Sequence, residues 1–226
     1  MKILLVVATV SEIKPLLSHL GTKRIKEGLP LKKRIGKHNL SILITGVGMT
    51  ATAYELGKLF AKEKFDLAIN AGIAGCFTKI ISLGTIVNIT KETFADLGAE
   101  DDANFISLFE MGLTNKNQSP FKGGILKNTL TVKLPSIKKL QKVNGITVNK
   151  VHGNTNSISA IVKKYTPEVE SMEGAAFHYA CLKEKVPYAE IRSISNYVEK
   201  RDRSKWNIPL AIKNLNDFFI VLLNEK

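Results

Sequence analysis

The stretch VESMEGAAFHYACLKEKVPYAEIRSISNYVEKRDRSKW, residues 169–206, decides the fold. A short apolar run ends in Ser-Met-Glu-Gly, an apolar segment of helical period follows, and a second β-rich run closes in Ser-Ile-Ser-Asn. Strand, helix and strand in that order form a βαβ unit whose strands end on polar residues. In open α/β sheets such strand ends are where ligands sit.

Working outward, the same alternation fills the chain. Apolar or β-branched runs predict strands at residues 3–8, 40–45, 67–70, 85–89, 146–151 and 189–193. Segments of helical period predict helices at 12–20, 50–62, 157–165, 174–185 and 208–223. The expected class is α/β, a three-layer α/β/α arrangement around a central twisted mixed sheet. Residues 1–226 read as one domain, since no repeat, low-complexity tract or linker divides them, and 44% hydrophobic content suffices for one substantial core. Between residues 97 and 133 the pattern fades into a polar segment with Gly123-Gly124, read as a surface loop or subunit contact.

Composition excludes several function classes. Cys76 and Cys181 lie far apart without CxxC or Cys/His spacing, so neither a disulfide framework nor a zinc site is expected. His19, His38 and His178 lack metal spacing, and no cofactor is expected. The opening KILLVVAT is read as the first strand, because no small-residue cleavage pattern follows it. No apolar run reaches the roughly 18 residues of a membrane span, so a soluble, cytoplasmic protein with no membrane partner is expected. The formal charge of +13 gathers partly in TKRIKEGLPLKKRIGKHN, residues 22–39, without interleaved aromatics. That pattern fits a solvated basic face that attracts an anionic small substrate, and no nucleic-acid partner is expected.

Residues 169–206 resemble the C-terminal half of the purine nucleoside phosphorylase/hydrolase superfamily. Upstream matches follow in the expected order: an acid after the first strand (Glu12), the glycine turn TGVGMTA (45–51), and a strand ending in NAGIAG (70–75). The phrases FADLGAED (94–101), VESMEGAAF (169–177) and SNYVEKRDRSKW (195–206) are more similar to the futalosine hydrolases than to the methylthioadenosine/S-adenosylhomocysteine nucleosidases. The resemblance implies hydrolysis of the N-glycosidic bond of futalosine, releasing hypoxanthine and dehypoxanthine futalosine in menaquinone biosynthesis. The alternatives are an adenine nucleosidase acting on methylthioadenosine, S-adenosylhomocysteine or aminofutalosine, a purine nucleoside phosphorylase, and a non-catalytic nucleoside-binding protein. It further implies water activation by Glu12, ribose binding by Glu173 beside Met172, base recognition by Asn196, and substrate contact at Ile73, Ala74 and Gly75. His152 falls where relatives place a base contact. A homo-oligomer, dimer or larger, is also the expectation by resemblance.

Residue chemistry reaches compatible roles. Cleavage through an oxocarbenium-like sugar needs a water held on one face, a gripped sugar and a stabilised leaving base. A carboxylate at Glu12 can take a proton from water, and one at Glu173 can accept from two cis hydroxyls. An amide at Asn196 can donate to a 6-oxopurine edge but cannot protonate it, which leaves the leaving-group proton unassigned. No phosphate cradle is found, and Ile73 stands where the nucleosidase phrase GSAG has serine, so water is favoured over phosphate. A benzoate tail on the substrate calls for a cation, for which Arg201 and Arg203 are candidates. The plainer readings are a helix-start carboxylate at Glu12 with Ser11 as the cap, core packing for Met172, and a structural histidine at 152. The acids Asp96 and Glu100 invite a second catalytic pair, or more plainly a segment that closes over the pocket.

Overall fold

The computed structural model describes residues 1–22, 24–102, 104–129, 132 and 134–225. Lys23 of the basic stretch and Lys133 at the end of the polar segment lie outside the described residues. In chain order the elements are β1 (Lys2–Val7), α1 (Val10–His19), β2 (Leu31–Ile35), β3 (His38–Ile44), α2 (Met49–Phe60), β4 (Leu67–Cys76), β5 (Ile86–Glu92), β6 (Gly98–Asp101) and β7 (Asn104–Ser107). They continue with β8 (Leu126–Lys127), α3 (Pro135–Lys139), β9 (Gln141–Thr147), α4 (Thr155–Tyr165), β10 (Val169–Ser171), α5 (Gly174–Glu184), β11 (Tyr188–Tyr197) and α6 (Ile208–Leu222).

The central sheet runs β10-β9-β5-β11-β4-β1-β3-β2, with β8 on β5. It is mixed: β1 is parallel to β3 and β4, and β4 to β11, while β11 and β5 are antiparallel. β10 pairs with β9 on one side and with β4 on the other. The strands β4, β11, β5, β9 and β10 therefore close into a ring.

Helices cover both faces, which is why the strands read as unbroken apolar runs. In β1, Ile3, Leu5 and Val7 pack with Leu16 of α1 and Phe219 of α6. Leu4 and Val6 turn the other way, toward Leu56 of α2 and Phe177 and Cys181 of α5. Each such aliphatic side chain contributes about 1.5–3 kcal/mol by leaving water.

Every expected strand and helix has a counterpart, with shifts at the ends. The strand expected at 67–70 runs on to Cys76, and that expected at 189–193 runs on to Tyr197, because small and polar residues at their ends still pair with each other. The strand expected at 146–151 instead spans Gln141–Thr147, and its polar start Gln141-Lys142 sits beside β5. The segment read as a loop carries the β6–β7 hairpin and β8. Its short strands have too few alternating apolar positions to register as a period. The basic stretch contains β2, which forms one edge of the sheet with Lys33 paired to Leu40. Charged residues on an edge strand discourage pairing with another chain. Among the described residues, no helix is long and apolar enough to cross a membrane.

Candidate active site

A cleft of about 440 Å³ opens where β1, β4, β10 and β11 end. Glu12, Ile73, Ala74, Gly75, His152, Met172, Glu173, Asn196 and Arg201 all line it. These nine candidates, which span most of the chain, are brought together. Arg203 does not line the cleft; it lies over the Trp206 ring, 5.7 Å from its centroid. Asp96 is also outside, bonded to the Asn149 backbone at 2.5 Å, and Glu100 is exposed on β6.

Glu12 is held at three points. The Thr9 N–H and hydroxyl each donate to Oε2 at 3.0 Å, and the Ile73 N–H donates to Oε1 at 3.2 Å. The N-cap of α1 is Thr9 rather than Ser11, whose hydroxyl lies in the first turn, 2.8 Å from that of Thr9. Burial pushes the Glu12 carboxyl above its ordinary range, against the pull of Arg192 and the Ile73 N–H. It is thereby a stronger base than an exposed glutamate.

Pro15 disturbs α1, and Ile13 leaves helical geometry. The bond that Leu16 N–H would make to the Glu12 carbonyl is replaced by an insertion. Leu16 N–H donates to Asn216 Oδ1 at 2.8 Å, and Asn216 Nδ2 donates to the Glu12 carbonyl at 2.8 Å. The buried amide of α6 is thus spliced into α1 at the residue that carries the carboxylate.

Glu173, the N-cap of α5, accepts from the Gly48 N–H at 3.0 Å through Oε1. Gly48 starts α2 at φ +94, a conformation costly for other residues. Arg192, which sequence reasoning missed, reaches Glu173 Oε2 from Nη1 at 3.4 Å, Glu190 Oε1 from Nε at 2.9 Å and Asn70 Oδ1 from Nη2 at 2.5 Å. A Cβ at position 72 would lie 2.2 Å from Arg192 Nη1 and 2.9 Å from Glu12 Oε1, so Gly72 makes room for both groups to approach. Although burial disfavours its charge, Glu190, Glu173 and Glu12 hold the guanidinium above its usual range. The signal in the sequence was an acid and a base two residues apart, Glu190 and Arg192, inside an otherwise apolar strand.

Behind Arg192 lies a buried pair of acids. An added Cβ at Gly174 would sit 2.4 Å from Glu190 Oε1 and 2.5 Å from Glu92 Oε1. Burial, and then the Glu190 charge, push the Glu92 carboxyl well up. Glu190 is also buried, yet Arg192 and His178 hold it below the ordinary range, so the proton of the pair belongs to Glu92.

Asn196 is oriented by its neighbours. Its Nδ2 donates to the Tyr197 carbonyl at 3.1 Å, which can only accept, and its Oδ1 faces the Ser195 hydroxyl at 2.8 Å. One N–H of the amide remains for a ligand acceptor. A register shift between Ile194 and Asn196 sets Asn196 opposite Gly75. Toward the mouth, Arg201 lies over the Trp206 ring, 5.1 Å from its centroid, and Ile208 and Ile212 complete an apolar wall.

His152, half-buried, binds Glu170 through both its backbone N–H, at 3.0 Å, and its Nδ1. Glu170 lines the same cleft and was not singled out in the sequence. Among the described residues, no group of three or more His, Cys, Asp or Glu is placed to hold a metal ion.

Residues 2–223 match the profile of the Phosphorylase superfamily. The chain is 31% identical to the futalosine hydrolase of Acidothermus cellulolyticus over 80% of its own length and 74% of that protein's. It is 25% identical to the 5'-methylthioadenosine/S-adenosylhomocysteine nucleosidase of Glaesserella parasuis over 100% and 99% of the two chains. The native structure of Helicobacter pylori futalosine hydrolase superposes with a TM-score of 0.80 at 15% identity, covering 100% and 98% of the chains, a likeness of fold. With this profile spanning nearly every residue and such relatives on both sides, the chain belongs to the Phosphorylase superfamily and is an enzyme that hydrolyses the N-glycosidic bond of a nucleoside.

Proposed function

We propose that the substrate is futalosine, cleaved by water to hypoxanthine and dehypoxanthine futalosine in the futalosine route to menaquinone. The observation that carries this reading is the orientation of Asn196, which offers an N–H to the cleft. Such a donor pairs with O6 of a 6-oxopurine, the edge at which that base differs from adenine. A 6-amino group would place a second donor against it. The similarity to futalosine hydrolases at about 30% identity supports the same choice.

In this mechanism Glu12 accepts a proton from the attacking water, and its elevated proton affinity suits it to the task. Glu173 accepts from the ribose hydroxyls while Met172 packs on the sugar. The two carboxylates, both buried, favour the positive charge that develops on the ring. Arg192 fixes Glu173 and tempers the repulsion between the two acids. Ile73, Ala74 and Gly75 form the floor on which the nucleoside lies. At the mouth, Arg201 meets the benzoate and Trp206 packs along the tail.

We also place the chain in a homo-oligomer. A second depression, of about 520 Å³, borders α2 and α5 and is lined by Phe94, Leu97, Tyr179 and Ala180, and Tyr54, Tyr179 and Leu97 are exposed nearby. An apolar surface of this kind supports a subunit contact.

Incubating the purified protein with futalosine and following free hypoxanthine tests the reading. Release without added phosphate is expected. Release only when phosphate is supplied would overturn the hydrolytic step, and release of adenine from aminofutalosine at a higher kcat/KM would overturn the choice of base.

A further inference from the structure

Three observations on one side of the cleft share a purpose that the roles above leave empty. Glu170, Gly75 and Asn196 stand opposite one another across β10, β4 and β11. A Cβ at Gly75 would lie 2.9 Å from Val198 Cγ2 and 3.3 Å from Asn196 Nδ2, so the glycine lets the base-reading amide settle against β4 at one end of a row whose other end is a carboxylate. His152 is clasped on the carboxylate end, its Nδ1 and backbone N–H both given to Glu170. Glu170 is only 4% exposed, whereas His152 borders the cleft. Among the described residues, Nε2 of His152 has no hydrogen-bond partner, and it is not sealed from solvent. An imidazole with a buried carboxylate behind it and its far nitrogen open to a substrate cleft is built for proton transfer: the carboxylate fixes the tautomer and orientation and compensates the charge of the protonated ring.

We propose that His152, positioned by Glu170, is the general acid that protonates the departing purine. The inference rests on the nucleosidase reading above. The chemistry has a place for such a group, because the amide of Asn196 can hydrogen-bond the base but cannot give it a proton. The C1'–N9 bond breaks with its electron pair going to the purine, and the proton on His152 Nε2 passes to a ring nitrogen of that base. The water oxygen bonds to C1' and its proton goes to Glu12. One proton is taken up by the base and one is given up by water, so solvent exchange between Glu12 and His152 restores both groups. Glu170 carries no proton in the cycle and is a positioning residue.

Steady-state kinetics of His152→Ala and Glu170→Gln, with and without imidazole in the buffer, test this. For His152→Ala, kcat should fall on the order of 10²-fold or more with KM little changed, and imidazole should restore part of the loss. Glu170→Gln should lose less, entirely in kcat, and gain nothing from imidazole. A loss carried by KM, a fall in kcat of less than about tenfold, or a deficit that imidazole leaves untouched would overturn the proposal, since stacking on the base or shaping the cleft would behave in those ways. Failure of the substrate assignment is separable. If wild-type protein releases no hypoxanthine from futalosine, the same comparison is made with the purine nucleoside it does cleave.

Discussion

Arg192 Nη1 stands 3.4 Å from Glu173 Oε2, and the same nitrogen occupies the space that a side chain at Gly72 would claim beside Glu12 Oε1. One buried cation therefore serves both carboxylates of the cleft as well as Glu190, and each would cost several kcal/mol to hold ionised alone. The ion cluster reconciles burial of the carboxylates with the negative charge that sugar chemistry needs.

Glu12→Ala should lower kcat on the order of 10²- to 10⁴-fold and leave nucleoside binding, measured by calorimetry, close to wild type. Because the base acts deprotonated and burial raises its carboxyl, wild-type kcat/KM should decline on acidification at a pH above the ordinary carboxylate range. An acid limb at the value of an exposed glutamate would contradict the assignment.

Asn196→Asp exchanges a fixed donor for a group that can accept from a 6-amino purine. The ratio of kcat/KM for aminofutalosine over futalosine should rise on the order of 10-fold or more. An unchanged ratio would show that the amide does not read the base.

Asn216→Ala removes the insert between the Glu12 carbonyl and the Leu16 N–H and takes a buried hydrogen-bond partner from each. Thermal or urea unfolding should show a loss of about 1–3 kcal/mol. Since the same carbonyl belongs to the residue bearing the base, kcat should fall as well; a stability change with full activity would detach the splice from the site.

Glu92→Gln keeps the shape of the protonated acid but cannot ionise. The stability that a raised carboxyl supplies is complete below the ordinary carboxylate range and is lost as pH rises through its elevated value. Melting temperatures of the wild type should therefore sag on the alkaline side relative to the variant. Parallel curves between pH 5 and 9 would mean that Glu92 holds no proton to lose.

Arg201→Ala should raise KM for futalosine by about tenfold or less, the modest value reflecting an exposed guanidinium. Turnover of a nucleoside lacking the carboxylate tail should not change. Equal effects on both would move the benzoate contact elsewhere.

Much of the fold was legible because strands buried on both faces must be apolar throughout, as residues 3–7 are, and because helices such as Ile208–Leu222, which buries Ala211, Leu215, Phe219 and Leu222, announce their period. The residues gathered in the cleft were found where apolar strands ended in polar groups, at Glu173 and Asn196. What escaped reading depends on partners distant in sequence. Arg192 takes its meaning from Glu12 and Gly72, and Glu170 from His152. Asn216 becomes intelligible only beside a proline some 200 positions earlier, as its bond to Leu16 spans that separation. The hairpin at Gly98–Asp101 and Asn104–Ser107 was invisible for a different reason: eight paired residues, of which only Ser107 is buried, impose no hydrophobic rhythm.

The closed circuit of β4, β11, β5, β9 and β10 leaves no fraying end beneath the cleft. Gly75 is anchored from both flanks, by Glu170 of β10 and Asn196 of β11, whereas Arg201 and Trp206 hang on the chain that follows β11. A rim carried outside this hoop can be lengthened, shortened or recharged without disturbing the frame under the cleft.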